Sequence, residues 1–211
     1  FIKLGSRGTT VLFSSGDNGV GCNAGGDRQE PNWPASSPYV TAVGGIYLQG
    51  STYVGDTISS GGFSNYFARP SYQNDVVENY LNHSPLPPAS SFNKTGRAIP
   101  DVSSFSENVV ITAGQDTYGV AGTSCASPVV GGIFGLVNDI LVSKGHAPVG
   151  FANPLIYGVL SKDSSIFTDV TQGDNTYGSC RGFECAVGWD PITGFGLPKN
   201  PVAIAAKIMS M

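Results

Sequence analysis

The sequence Gly122-Thr123-Ser124-Cys125-Ala126-Ser127-Pro128 introduces a long apolar segment. The spacing of the apolar residues predicts a helix over residues 127–143 with apolar side chains on nearly every side, and such a helix is buried. Ser124 stands just before this helix, where free N–H groups and a partial positive charge stabilise a nearby oxyanion. Serines in this position also cap helices, a role open to Ser124 and to Ser127. The stretch therefore predicts either a nucleophile or a helix cap.

Short apolar runs on both sides of this helix predict strands. Residues 9–14 (TTVLFS) are uncharged and rich in β-branched side chains, as expected for a strand buried on both faces. Further strands are predicted at residues 39–43, 46–53, 109–113 and 118–121. Helices are predicted at residues 71–81 and from Asn200-Pro201 onward, where a cap residue precedes a proline. Because strands and helices mix without repeats or a linker, one α/β domain is predicted over residues 1–211.

The composition argues against several classes of partner. Charged residues make up only 12% of the 211 residues, the net charge is −4, and no run of Lys or Arg occurs, so nucleic acid and anionic membranes are poor partners. No stretch reaches the roughly 18 uncharged apolar residues of a membrane span, because Asn138 and Asp139 interrupt the longest one. The first residues, Phe1-Ile2-Lys3-Leu4, have no signal-peptide pattern and predict a processed piece or a fragment.

Cysteines and sequons bear on the cellular compartment. The chain has four irregularly spaced cysteines without the CxxC pairs of a zinc site: Cys22, Cys125, Cys180 and Cys185. Two N-x-S/T sequons, at Asn82 and Asn93, stand beside turn residues and are predicted glycosylation sites. Together these features favour the secretory pathway.

The string at residues 122–128 resembles the nucleophile motif G-T-S-x-A-[ST]-P of the subtilisin-like clan, in which the serine attacks the peptide carbonyl. Subtilisins need a histidine base upstream of that serine. The two histidines here, His83 and His146, lie in a sequon and in a loop-like stretch, so no Ser-His-Asp triad is predicted. A second string, Ser14-Ser15-Gly16-Asp17-Asn18-Gly19, follows the first predicted strand and resembles the S-G-D-S-G turn of the sedolisins, the serine-carboxyl peptidases.

In that family the aspartate of the turn occupies the oxyanion position that an asparagine fills in subtilisins. A carboxyl donates a hydrogen bond only when it is protonated. The resemblance therefore implies a peptidase that acts in acid, with Ser124 as nucleophile and Asp17 as oxyanion stabiliser. The alternative for Asp17 is an ordinary turn residue, since Gly-Asp-Asn-Gly is typical of turns.

The resemblance extends over essentially the whole chain, with matching strings in one order. They include residues 34–40, 60–65, 69–73, 96–102, 150–154, 167–171 and 188–194. The resemblance implies a subtilisin-like α/β fold, incomplete in this chain, with a mostly parallel central sheet flanked by helices. In the family, a glutamate base and an orienting aspartate lie upstream of the S-G-D turn, but no acidic residue precedes Asp17. The implied partner is therefore an N-terminal segment or chain that carries the Glu/Asp pair, and the implied substrate is a peptide or protein.

The family also has a structural calcium site near its C-terminus. Matching motif positions implies the side chains of Asp169 and Asp190 and the carbonyl groups of Val170, Ala186 and Gly188 as ligands. Calcium takes six to eight oxygen ligands, which these groups and water supply. The alternative is that the two aspartates are ordinary turn residues.

The resemblance implies a Cys22–Cys180 disulfide, with Cys180–Cys185 as the competing pair, and Cys125 as a buried free thiol. Two other functions stay open. One is a neutral subtilisin-like endopeptidase whose histidine lies on another segment, and Asp17 in place of Asn argues against it. The other is an inactive, calcium-stabilised glycoprotein module, and the presence of both Ser124 and Asp17 argues against it. The implied location is lysosomal, another acidic compartment, or secreted.

Overall fold

The computed structural model describes residues 1–211. Its strands are β1 (Leu12–Ser14), β2 (Thr41–Gln49), β3 (Thr52–Gly55), β4 (Gly62–Ala68), β5 (Gly96–Ile99), β6 (Val102–Phe105), β7 (Val109–Ala113), β8 (Asp116–Val120), β9 (Phe167–Thr168) and β10 (Leu197–Pro198). Its helices are α1 (Ile2–Ser6), α2 (Asn74–His83), α3 (Thr123–Ser143), α4 (Ala152–Gly158) and α5 (Pro201–Met209). Two 3₁₀ helices span Ser71–Gln73 and Leu160–Lys162.

The central sheet is built around β2, whose first six residues are all buried. β1 and β6 pair with β2 in parallel, and β3 pairs with it antiparallel. The predicted α/β class with a mostly parallel sheet is therefore confirmed. Since parallel strands end at the same edge, the chain leaving β1 at Ser15 and the chain leaving β6 at Ser106 lie at the carboxyl edge, where α/β proteins place their sites.

Helix α3 packs against this sheet but differs from the prediction in two ways. It begins at Thr123, four residues before the predicted start, so neither Ser124 nor Ser127 is its cap; Gly122 is. The first turn holds residues of low helix propensity, and tertiary contacts of Thr123 override that propensity. One face is buried, but Val129, Leu136 and Val142 on other faces are 41%, 56% and 56% exposed. The prediction of burial on every side is therefore wrong for this chain.

The earlier start of α3 also bears on whether this helix is long enough to cross a membrane. By length and composition alone, the 21 residues of α3 could cross a membrane, which the shorter predicted helix could not. The same test is passed by core helices of globular proteins. The side chains of α3 that enter the core are Ala126, Val130, Phe134, Val137 and Leu141.

The other predicted elements form with shifted boundaries. Residues 71–81 begin as a 3₁₀ turn and continue as α2. The two strands predicted at residues 39–53 are one long β2 that turns at Gly50 into β3. β7 and β8 form an exposed two-stranded hairpin, and α5 begins at Pro201 with Asn200 as its cap.

A buried polar cluster joins the amino ends of β2 and β6 to α4. The Arg97 guanidinium is fully buried and lies 2.6 Å from Asp101 Oδ2. Asp101 also accepts hydrogen bonds from Ala42 N at 2.7 Å and from the Tyr157 hydroxyl at 2.8 Å. These contacts fix the turn between β5 and β6 and therefore the start of β6.

Candidate active site

The two motifs singled out in the sequence meet at the carboxyl edge of the sheet. Asp17 Oδ1 accepts a hydrogen bond from Thr123 N at 2.7 Å and another from Thr123 Oγ1 at 2.8 Å. Thr123 Oγ1 also accepts from Gly16 N at 3.1 Å. The fold thus places the turn after β1 directly against the first residue of α3, although 106 positions separate them in the chain.

Gly122 makes this close approach possible. Its φ is +131°, and a Cβ at this position would lie 2.9 Å from Asp17 Oδ2. Any side chain would therefore displace the carboxyl group. Asp17 itself is exposed, and its Oδ2 atom accepts no hydrogen bond, so this oxygen is open to a further partner.

Ser124 is the second residue of α3 and is exposed. Its backbone N–H has no hydrogen-bond partner, as is usual for the first turn of a helix. A free N–H at a helix N-terminus and a protonated carboxyl can stabilise a tetrahedral oxyanion, and an exposed serine can form one by attacking a carbonyl carbon. Cys125, the next residue, is a half-buried free thiol, less buried than expected.

The far side of the Asp17 turn is held by two residues that the sequence reasoning missed. Ser60 Oγ accepts from Asn18 N at 3.1 Å and from Asn32 Nδ2 at 3.0 Å. A Cβ at Gly16 would overlap the Asn32 amide, so the turn and Asn32 are closely packed. Ser60 opens one of the strings that carry the family resemblance, which was an available signal; Asn32 lies outside them.

Neither histidine lies at this site. His83 Nδ1 contacts the carbonyl of Asn79 within α2, and His146 is exposed in the loop after α3. Of the glutamates, Glu78 pairs with Arg69 and Glu184 pairs with Arg181. No carboxylate or imidazole of this chain hydrogen bonds to the Ser124 hydroxyl.

The predicted calcium ligands cluster between β9 and β10. The Asp190 carboxylate is fully buried, and its oxygens accept from Ile192 N, Thr193 N, Thr193 Oγ1 and Ala186 N at 2.8 to 3.3 Å. Burial raises the pKa of Asp190 to about 7, although these hydrogen bonds oppose the change. Asp169 Oδ2 accepts from Gly188 N at 2.8 Å, and burial raises the pKa of Asp169 as well.

The donor set at this place suits a hard cation. The carbonyl oxygens of Val170, Ala186 and Gly188 accept no hydrogen bond, and Val170 is fully buried. Two carboxylates and three unbonded carbonyls are the oxygen ligands that calcium prefers. No group of three or more His, Cys, Asp or Glu side chains that could hold a metal ion gathers in the chain, so most ligands at this place would be carbonyl oxygens.

The structure also places the cysteines and the two sequons. Cys22 and Cys180 form a disulfide with a Cα–Cα distance of 5.8 Å, which confirms the first of the two pairings; Cys185 is free and half-buried. Asn82 is exposed in the last turn of α2. Asn93 is half-buried, and its Nδ2 donates to Ser64 O at 2.9 Å.

Known proteins similar to this chain are peptidases by name. No protein-family model matches it. Tripeptidyl-peptidase 1 of Dictyostelium discoideum is 45% identical over 200 residues, which cover 94% of this chain and 33% of that protein. Tripeptidyl-peptidase 1 of Homo sapiens is 42% identical over 218 residues, which cover 96% of this chain and 38% of that protein. The chain thus spans little more than a third of the length of these curated relatives.

A solved structure extends the similarity to the fold. Pseudomonas sedolisin, a serine-carboxyl proteinase complexed with two molecules of pseudo-iodotyrostatin, has a TM-score of 0.77 and 28% identity to this chain. The match covers 99% of this chain and 58% of the sedolisin chain. With the junction of Asp17 and the Ser124 helix, these similarities confirm the resemblance seen in the two motifs. The chain belongs to the sedolisin family of serine-carboxyl peptidases and corresponds to a C-terminal part of that family's catalytic domain.

Proposed function

We propose that this chain supplies the nucleophile and the oxyanion stabiliser of an acid-acting serine-carboxyl peptidase. The observation that carries the proposal is the contact between Asp17 and the first residue of α3, which places a free carboxyl oxygen beside the N-terminal turn that holds Ser124. Ser124 Oγ attacks the scissile carbonyl carbon, and the protonated Asp17 carboxyl donates a hydrogen bond to the oxyanion that forms.

The proton of the Ser124 hydroxyl passes to a glutamate held by an aspartate on another segment. That glutamate then protonates the leaving amine as the C–N bond breaks, leaving an ester on Ser124. Water hydrolyses the ester and regenerates the hydroxyl. The substrate is therefore a peptide or protein, and the reaction consumes one water for each bond cleaved.

Two surfaces of the fold support a partner segment of this kind. β1 pairs with β2 only, so its other side offers unpaired N–H and C=O groups along the edge of the sheet. The uncovered apolar side chains of α3 lie on the helix whose second residue is Ser124. A segment that adds a parallel strand to β1 and covers α3 brings its own acidic residues close to Ser124.

The test uses the protein assembled with the segment that bears the Glu/Asp pair. Ser124→Ala removes the attacking oxygen and is expected to abolish peptide hydrolysis. Asp17→Asn keeps a hydrogen-bond donor at every pH, so the loss of activity on the alkaline side of the optimum should flatten. Wild-type rate and pH profile in Asp17→Asn would refute the role of Asp17. A neutral optimum that depends on a histidine would favour the subtilisin-like alternative.

We also propose that Asp169, Asp190 and the carbonyls of Val170, Ala186 and Gly188 hold a structural calcium ion. The ion neutralises buried carboxylates and orders the loops between β9 and β10, and it takes no part in peptide hydrolysis. Support comes from the buried Asp190 carboxylate without a cationic partner and from the three unbonded carbonyls.

The sequons and the acid chemistry together suggest where the protein works. We propose N-linked glycans at Asn82 and Asn93 and an acidic compartment reached through the secretory pathway, lysosomal or extracellular. The exposed Asn82 side chain is directly accessible, whereas Asn93 is half-buried and its Nδ2 donates to Ser64 O. Mass spectrometry before and after enzymatic deglycosylation measures both; an unchanged mass refutes the glycans.

A further inference from the structure

A third carboxylate, Asp56, is buried close to the candidate active site and has no cationic partner. Its side chain is only 2% exposed, and none of the four ion pairs in the structure includes it. It accepts hydrogen bonds from the Ser106 hydroxyl at 2.5 Å and from Ile58 N at 3.2 Å. Burying a carboxyl group with so few partners is costly. The buried position of Asp56 therefore needs a functional explanation.

Ser106 connects Asp56 to the nucleophile turn. Ser106 directly follows β6, and its N–H donates to Ile46 O at 2.9 Å, which ties it to β2. Its carbonyl accepts from Gly122 N at 2.7 Å. Ser106 thus hydrogen bonds to the sheet through its N–H, to Asp56 through its hydroxyl, and to Gly122, the residue before α3, through its carbonyl.

The next link along this chain of contacts is the bond already described between Thr123 and Asp17. The N–H of Thr123 belongs to the peptide group that Gly122 begins, so the orientation of Gly122 sets the direction of that N–H toward Asp17. β2 makes room for this packing at Gly45, where a Cβ would overlap the Ser106 hydroxyl and lie 3.4 Å from the Thr123 methyl group. A continuous series of hydrogen bonds and peptide groups therefore links Asp56 to the Asp17 carboxyl through Ser106, Gly122 and Thr123.

We propose that Asp56 and Ser106 are positioning residues for the reaction of Ser124. They touch no substrate atom; they hold Gly122 so that the Ser124 hydroxyl and the Asp17 carboxyl face the same point. This inference rests on the proposed peptidase function. Because a displacement of about 1 Å at a reacting centre costs on the order of 100-fold in rate, a loosened Gly122 should lower kcat and leave KM nearly unchanged.

The experiment measures kcat and KM in the assembled enzyme, with reactive Ser124 counted by a serine-directed phosphonate. Asp56→Ala is expected to lower kcat by about 10- to 100-fold. Asp56→Asn retains an acceptor oxygen for the Ser106 hydroxyl and should recover most of that rate. The matched control is Asp101→Asn, a buried carboxyl at the amino end of β6, which should lower the melting temperature without changing kcat per reactive serine.

Wild-type kcat in Asp56→Ala overturns the inference, as does an equal loss of kcat in Asp56→Ala and Asp101→Asn. If Asp56→Ala does not fold, Ser106→Ala replaces it, with the same fall in kcat expected and an unchanged kcat refuting the proposal. Ser124→Ala distinguishes a failure of the positioning role from a failure of the proposed peptidase function. If that variant is inactive while Asp56→Ala is fully active, only the positioning role is wrong. If Ser124→Ala retains activity, the proposed peptidase function fails and this inference with it.

Discussion

Asp101 and Asp190 are both fully buried carboxylates, but their hydrogen-bond and charge partners differ. Asp101 has the Arg97 guanidinium at 2.6 Å and is also bonded to Tyr157 and to the backbone of β2. Asp190 accepts four hydrogen bonds but has no cation, and unbonded carbonyls lie on neighbouring loops. The first charge is neutralised inside the chain by Arg97, whereas the second has no cationic partner there. The comparison separates a buried carboxylate with a cationic partner inside the chain from one that has none.

The largest expected effect comes from breaking the Asp101 cluster. Arg97→Met leaves a buried carboxylate without its partner and should lower the free energy of unfolding by about 3–5 kcal/mol. Denaturant unfolding of the purified protein measures this loss. The double variant Arg97→Met/Asp101→Asn removes the charge as well and should recover part of the stability. A loss below about 1 kcal/mol, the range of exposed ion pairs, would contradict the distinction between the two carboxylates.

The second prediction concerns calcium and Asp190. A cation that binds only the folded state at a hundredfold excess over its Kd adds about 2.7 kcal/mol, so chelation should lower the melting temperature. Asp190→Asn should lower it similarly and remove any response to chelator, whereas Asp101→Asn should keep that response. If purified protein contains no calcium and added calcium leaves melting unchanged, the metal assignment is withdrawn. The peptidase proposal survives that outcome, since Ser124 and Asp17 do not depend on the ion.

A smaller effect is expected from Tyr157→Phe, which tests the neutral partner of Asp101. The hydroxyl donates to Asp101 Oδ1 and accepts from Gln73 Nε2, both at 2.8 Å. Its removal leaves two buried polar groups short of a partner and should cost about 2 kcal/mol in unfolding experiments. Tyr66→Phe is the control because that side chain is 91% exposed, and its stability should match wild type. Equal stability of the two variants would show that the cluster tolerates missing hydrogen bonds.

The smallest effect is expected at an exposed ion pair. Arg181 and Glu184 lie 3.5 Å apart with side chains that are 58% and 51% exposed. Glu184→Gln should change the free energy of unfolding by less than about 1 kcal/mol, and high salt should reduce the difference further. A loss comparable to that of Arg97→Met would mean that burial is not what distinguishes Asp101.

Local sequence signals predicted the parts of the fold that depend on local chemistry. The turn at Asp17 and the small-residue string at the start of α3 were both recognisable in the sequence, and their family resemblance placed them in one site. The start of α3 was not predictable from periodicity, because Thr123 is held in the helix by Asp17, a residue distant in sequence. Tertiary contacts of this kind override intrinsic propensity.

The supporting residues of the site were missed for the same reason. Asp56 stands between Gly55 and Thr57 and looks like an ordinary turn residue, and only the fold brings Ser106 to it from 50 positions away. Asn32 likewise acquires its role by packing against Gly16. The uncovered face of α3 could not be predicted either, because a uniformly apolar helix does not reveal how many of its neighbours belong to the same chain.

The Cys22–Cys180 disulfide closes a loop of 158 positions that contains Ser124, while Asp17 lies just outside it. A protease that cuts the backbone once anywhere between the two cysteines therefore releases nothing, since both pieces stay covalently joined. The exposed β7–β8 hairpin, with Gly114 at its tip, is a natural place for such a cut. A nicked molecule would run as one species on a non-reducing gel and as two after reduction. Nucleophile and carboxyl would remain tethered even though they no longer share a continuous backbone.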